Sequence, residues 1–138
     1  MKVSLWAVSL ALMMLPGTAG ASGPVERTYN APVERVWSTT EAVLKHLGWD
    51  VDKADRSIGF ITTDSRRVDG DNYGVYEKSL RHRLRVHVKA LGGGRTTVSV
   101  ERTLFKRERI LFVDNDEPVA ATEQNVEKAL LDAIGKGL

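Results

Sequence analysis

Hydrophobic residues recur along this chain with two different periods, and the change from one to the other marks out its elements. Between residues 33 and 47 the spacing is helical. Val33, Val36, Trp37, Thr40, Leu44 and Leu47 share one face, and Glu34, Arg35, Ser38, Glu41, Lys45 and His46 take the other. Pro32 suits the first turn, Asn30 or Ala31 lies in the cap region, and Gly48 stops the helix. Trp37, the largest residue of the apolar face, is expected to anchor this helix on a sheet. Beyond Gly48 the period falls to two. Trp49–Lys53 and Ile58–Thr63 read as a strand pair around the turn residues Asp55, Arg56 and Ser57. The polar segment Asp64–Gly74 reads as a loop. Val75–Ala90 reads as a long strand with Leu80, Leu84, Val86, Val88 and Ala90 on one face and Arg81, Arg83, Arg85, His87 and Lys89 on the other. Leu91–Gly94 turns the chain. Arg95–Lys106 returns it, with Val98, Val100 and Leu104 facing in and Thr97, Ser99, Glu101 and Thr103 facing out. Val25–Asn30 reads as a short first strand, and Ile110–Val113 as an edge strand or packed loop. The acids Asp114, Asp116 and Glu117 suit the positive N-terminus of a second helix, predicted to begin at Pro118 and end at Gly135, with Val119, Val126, Ala129, Leu130, Ala133 and Ile134 as its apolar stripe.

The element order β-α-β-β-β-β-α, with short turns between strands, predicts an α+β domain. An antiparallel sheet of about five strands should carry the N-terminal and C-terminal helices on one face. The other face, bearing the Arg81–Lys89 stripe, should meet water.

Residues 1–21 change the picture of where this domain works. Lys2 is followed by the apolar run Leu5–Leu15, the breakers Pro16 and Gly17, and the small residues Ala19, Gly20 and Ala21, the pattern of a cleaved secretory signal. The run is short of the ~20 residues needed to cross a bilayer. The expectation is a periplasmic protein whose single domain spans residues 22–138. The chain has no cysteine, so disulfides, thiolate nucleophiles, zinc–cysteine sites and iron–sulfur clusters are excluded. Position 22 is Ser22, where a lipoprotein would carry its modified cysteine.

The net charge of +2 conceals an uneven distribution. Residues 78–109 hold ten Lys/Arg against Glu101 and Glu108, between acidic flanks. The stripe of Arg81, Arg83, Arg85, His87 and Lys89 is therefore the candidate binding surface, suited to an acidic envelope protein or another anionic surface. A peripheral contact with a membrane fits the same charge. The competing reading is a solvated face stitched by cross-strand pairs, for example with Glu101. Nucleic acid is not expected in an exported protein, and no aromatic residues interleave with the stripe as a stacking platform would need. No cofactor or metal is expected: His82 and His87 point to opposite faces of one strand, and the loop around Asp69–Gly74 has Leu80 where a calcium loop needs a bidentate Glu. Nucleophile elbows, phosphate loops, dinucleotide fingerprints and zinc-protease helices do not occur, so the chain reads as a binding protein and not as an enzyme.

The segment "YNAPVERVWSTTEAVLKHLGWDVDKADRSIGFITTD", Tyr29 to Asp64, resembles the helix-grip domains of the BamC (NlpB) type, an accessory component of the machinery that assembles outer-membrane β-barrels. A strand leads into Ala-Pro, a helix carries Val-Trp, a Gly-aromatic pair follows, and the hairpin contains Asp-Arg-Ser-x-Gly. The resemblance implies a helix-grip fold and a protein-interaction role in the envelope. "APVERVW" is also similar to the START/polyketide-cyclase-like helix-grip proteins, which implies instead a carrier or sensor holding a small apolar ligand between the sheet and the Trp37 helix.

Overall fold

A computed structural model describes residues 23–138; the leader expected at residues 1–21 lies outside them. Two long strands organise the molecule. β5 (Tyr76–Gly92) and β6 (Arg95–Ile110) pair antiparallel along their whole length, from Tyr76 opposite Ile110 to Gly92 opposite Arg95. Toward the Gly92 end, β1 (Val25–Tyr29) flanks β6, while β3 (Phe60–Thr63) and then β2 (Val51–Asp55) flank β5. Toward the Tyr76 end, β4 (Arg66–Asn72) flanks β5 and β7 (Val113–Val119) flanks β6. Among the described residues the sheet thus has seven strands, all antiparallel, and two helices, α1 (Val33–His46) and α2 (Asn125–Gly137). The class is α+β as expected; the sheet is larger than the five strands expected.

The helices cover one face of the first half of the sheet. α1 contributes Val36, Trp37 and Leu44, α2 contributes Leu130, Leu131 and Ile134, and the sheet contributes Ile61, Leu84, Val86, Val88, Val98 and Val100. Each fully buried aliphatic or aromatic side chain stabilises the fold by about 1.5–3 kcal/mol relative to exposure. Both carboxylate oxygens of Glu127, buried on the same side of α2, lack a hydrogen-bond partner among the described residues, but other polar groups caught in this layer are paired. Tyr29 donates its hydroxyl to the Leu131 carbonyl at 2.5 Å, Thr96 donates to the Ala31 carbonyl at 2.8 Å, and the Thr63 hydroxyl accepts from the Leu84 amide at 2.9 Å. Trp37 is buried at 4% exposure, the anchor its position on the apolar face predicts.

The second half of the sheet, formed by β4, the first part of β5, the last part of β6, and β7, extends past the helix layer as a four-stranded wing. It departs from expectation in three places. The polar segment expected as a loop contains β4, because pairing with β5 satisfies its backbone while most of its side chains stay in water. The acids expected to cap a helix at Pro118 lie in β7, where Asp114 and Asp116 stand opposite Arg109 and Arg107. Ile110–Val113, expected as an edge strand or packed loop, closes β6 at Ile110 and opens β7 at Val113, with Leu111 and Phe112 forming the exposed two-residue turn between them. The last helix consequently begins at Asn125 instead of Pro118. Its buried side is Glu127, Leu130, Leu131 and Ile134, spaced three, four and seven apart; Ala129 is exposed and Val119 belongs to β7.

Candidate binding surface

Strand alternation carries Glu77, Ser79, Arg81, Arg83, Arg85, His87 and Lys89 to the sheet face away from the helices. Arg83, Arg85, His87 and Lys89 are exposed. The Arg83 guanidinium lies 5.0 Å from the centre of the Phe105 ring, and His87 meets Phe60 edge-on at 4.8 Å. Arg85 stands opposite Glu101, yet among the described residues no carboxylate comes within 4 Å of the charged groups of Arg83, Arg85 or Lys89. Three cations therefore face solvent without an ion-pair partner among the described residues.

Arg81 separates from this group. It donates from Nη1 to Glu77 at 2.8 Å, from Nε to the Ser65 hydroxyl at 2.9 Å and from Nη2 to the Ser65 carbonyl at 2.9 Å. Three of its five N–H donors are thus engaged, tying β5 to Glu77 on the same strand and to Ser65, just ahead of β4. Glu77, which is buried, also accepts from Ser79 at 2.8 Å and lies 3.5 Å from Arg109. Burial alone would push the Glu77 carboxyl up; the hydrogen bonds from Ser79 and Arg81 and the charges of Arg81 and Arg109 outweigh it and hold the group below its ordinary range. Next to it Arg109 donates to Asp114 at 2.5 Å and Arg107 to Asp116 at 2.8 and 2.9 Å, and those hydrogen bonds hold both aspartates below the usual carboxylate range. The basic run of residues 78–109 thus divides. Arg81, Arg107 and Arg109 form ion pairs with acids of the wing; among the described residues Arg83, Arg85 and Lys89 form none within 4 Å, although the charge of Arg83 still helps hold Asp116 low.

A second constellation, missed by sequence reasoning, lies on the helix side. His82 is buried with its ring centre 4.7 Å from that of Trp49, its Nδ1 accepts from Arg102 Nε at 2.8 Å, and the Arg66 guanidinium stacks 3.6 Å from the Trp49 ring while donating to the Leu47 carbonyl at 2.9 Å. Four residues from four segments form one stack, so no local pattern could have announced it. Burial first, then the positive charges of Arg102 and Arg66, pull the His82 pKa down to about 4. The unfolded state binds the proton near pH 6.5 and the folded state does not. Stability should therefore be complete above about pH 6.5 and fall as the pH drops from there to about 4, by on the order of 2 kcal/mol. Urea unfolding at pH 7 and pH 4.5 checks this, with His82→Gln expected to flatten that part of the pH profile.

Concavities flank these groups, and three of them bear on function. A groove of about 260 Å3 on the helix side of the wing is lined by Asp69, Lys78, Leu80, Lys106, Glu108 and Glu117. A shallow groove of about 650 Å3 runs between α1 and α2 past Thr39, Val43, His46, Ala133 and Lys136. The recess beside Trp37 measures about 140 Å3 and is bounded by Val33, Arg56, Gly59 and Val88. Among the described residues no three His, Asp or Glu side chains converge as metal ligands would, and no helix is long and apolar enough to cross a membrane. The chain matches no protein-family model, and no curated protein matches it.

Proposed function

We propose that this protein is a non-catalytic binding module of the cell envelope, exported to the periplasm, that docks an acidic partner protein on the sheet face opposite its helices. One observation carries the reading: Arg83, Arg85 and Lys89 stand exposed in a row with no carboxylate within 4 Å. An unpaired cationic row on a rigid strand steers an anionic partner and fixes its register. Arg83 adds a planar, bidentate donor already oriented over Phe105. Two helices packed on one face of an antiparallel sheet support the helix-grip reading, and with it the interaction role that the Tyr29–Asp64 resemblance to BamC-type domains implies. The carrier reading has less support, because the recess at Trp37 is about 140 Å3, below the roughly 300–1,000 Å3 of small-molecule sites.

In-cell crosslinking followed by mass spectrometry should recover one dominant acidic envelope protein. Arg83→Glu combined with Arg85→Glu should reduce that recovery at least tenfold. Both side chains are solvated, so the unfolding free energy of the double variant should stay within about 0.5 kcal/mol of the parent per substitution. Undiminished recovery with a folded double variant would remove the stripe from the account.

A further inference from the structure

The free end of the wing carries an apolar cap. Two tight turns lie side by side there. In the β4–β5 turn the Tyr73 amide donates to the Tyr76 carbonyl at 2.7 Å. In the β6–β7 turn Leu111 and Phe112 are the two residues between the paired Ile110 and Val113. The Phe112 amide reaches the Val75 carbonyl at 3.4 Å and Arg109 donates to the Gly74 carbonyl at 3.2 Å, so the two turns are joined. Tyr73, Tyr76, Ile110, Leu111, Phe112 and Val113 are all large, apolar or aromatic, and 50–75% exposed. Together they present on the order of 600 Å2, taking an aromatic side chain as roughly 150–250 Å2. That is at or above the largest apolar patch of an ordinary soluble monomer, about 300–600 Å2.

The backbone shows that these residues are held there against local preference. Leu111 has φ +50° and Phe112 has φ +66°. A two-residue hairpin with positive φ at both central positions is a type I′ turn, the turn that Asn-Gly and Asp-Gly form with least strain. Leucine and phenylalanine are poor choices for it, since a Cβ in the left-handed region crowds the following carbonyl. Strain of this kind at an exposed tip, with nothing packed on the side chains, points to a use outside the molecule.

We propose that this tip inserts end-on into the interfacial layer of a lipid bilayer. The distribution of charge along the strands selects a bilayer over a protein surface. The eight residues Tyr73–Tyr76 and Ile110–Val113 carry no formal charge. One or two residues further along the strands, charged groups surround the wing on both faces: Glu77, Arg109 and Asp114 next on the outer face, then Asp71, Lys78 and Glu108 on the helix side. A patch built to meet a protein would continue along one face toward roughly 800 Å2 per partner, inside a polar rim. Here the apolar zone ends within about two residue steps, roughly 7 Å at ~3.4 Å per residue, which matches the 5–10 Å depth of interfacial insertion. Tyr73 and Tyr76 stand at the boundary, where an aromatic ring with a hydroxyl suits the headgroup level. Strand addition by a second copy is disfavoured, because the β4 edge carries a bulge between Arg67 and Asp69 and the β7 edge carries Pro118 among acids. This inference stands apart from the docking face on β5, and the two can fail separately.

The test uses the chain as exported and processed by the cell, with protein-free vesicles of phosphatidylethanolamine and phosphatidylglycerol. Phe112→Trp places a reporter at the tip, read against the parent's own tryptophan signal. Its emission should shift to the blue on adding vesicles and fall at least twofold when the lipids carry brominated acyl chains, whereas a tryptophan at Ser99, on the outer face of β6, should do neither. Leu111→Asn with Phe112→Gly supplies the preferred turn residues; its thermal midpoint should equal or exceed the parent's while vesicle partitioning falls at least tenfold. A tip tryptophan indifferent to vesicles, or partitioning unchanged in the Asn-Gly variant, would overturn the proposal. So would a blue shift seen only with an added envelope protein, or a lipid-free dimer abolished by the same variant, each of which would assign the tip to a protein contact.

Discussion

Gly59→Ala should lower the unfolding free energy by about 3–5 kcal/mol and leave the domain largely unfolded near its present melting temperature. Gly59 closes the β2–β3 turn at φ +68°, a region that costs a residue with a Cβ about 1–2 kcal/mol. The turn cannot relax away from the strain. The Gly59 carbonyl accepts from the Val88 amide at 2.7 Å, and the next residue, Phe60, is already paired with His87. A Cβ at this position would overlap the Val88 carbonyl oxygen and lie 3.2 Å from its carbonyl carbon. Only backbone movement in the central strand could relieve that overlap, so the steric cost adds to the conformational one. Gly93 and Gly94 also have positive φ, but a Cβ at either meets nothing within 4 Å, and Ala there should cost about 1–2 kcal/mol. Urea unfolding followed by tryptophan fluorescence measures both. A loss at Gly59 no greater than at Gly93 would contradict the close approach of this turn to β5.

Leu131→Ala should be nearly as damaging, at about 3–5 kcal/mol, and it separates the observed last helix from the one periodicity predicts. Leu131 is fully buried in the layer between helices and sheet, and its carbonyl accepts the buried hydroxyl of Tyr29. Truncation removes Cγ, Cδ1 and Cδ2 from a site walled by α1 and the sheet, and leaves a cavity in addition to the lost transfer energy. Val119→Ala and Ala129→Ser, at positions the sequence assigns to the apolar stripe, should each cost less than about 1 kcal/mol, because Val119 is only partly buried in β7 and Ala129 is exposed. Equal losses at Leu131 and Ala129 would mean that α2 presents a different side to the core.

The contrast between these positions shows which features of the chain were readable. α1 was legible because its stop at Gly48 and its apolar face agree, although its N-cap is Pro32 instead of Asn30 or Ala31, with no side-chain cap hydrogen bond. The β5 alternation was legible from Arg81 to Lys89 because one face there is buried by helices and the other is wet, which is the situation that writes a period of two into a sequence. β4 and β7 were not legible. Most of their side chains are exposed, so no alternation distinguishes them from loops, and the partners that make them strands lie in β5 and β6. The acids of Asp114–Glu117 read as a helix cap because their arginine partners are five and nine residues away across a turn. The outcome at the site follows the same division. The side of the strand on which Arg83, Arg85, His87 and Lys89 lie follows from local spacing. The withdrawal of Arg81 into the Glu77–Ser65 contacts, and the assembly of Trp49, Arg66, His82 and Arg102, depend on tertiary geometry. At the tip the run Ile-Leu-Phe-Val reads as an edge strand or packed loop, and Ile110 and Val113 do lie in strands, but only the positive φ angles of Leu111 and Phe112 place its middle in a turn facing solvent.

The most direct measurement places a photo-reactive amino acid at His87, in the middle of the outer face, and in a separate strain at His46, on the exposed side of α1. Irradiation of living cells should give a discrete, salt-sensitive adduct from position 87 and none from position 46. An adduct from position 46 alone would put the docking surface on the helices and contradict the account.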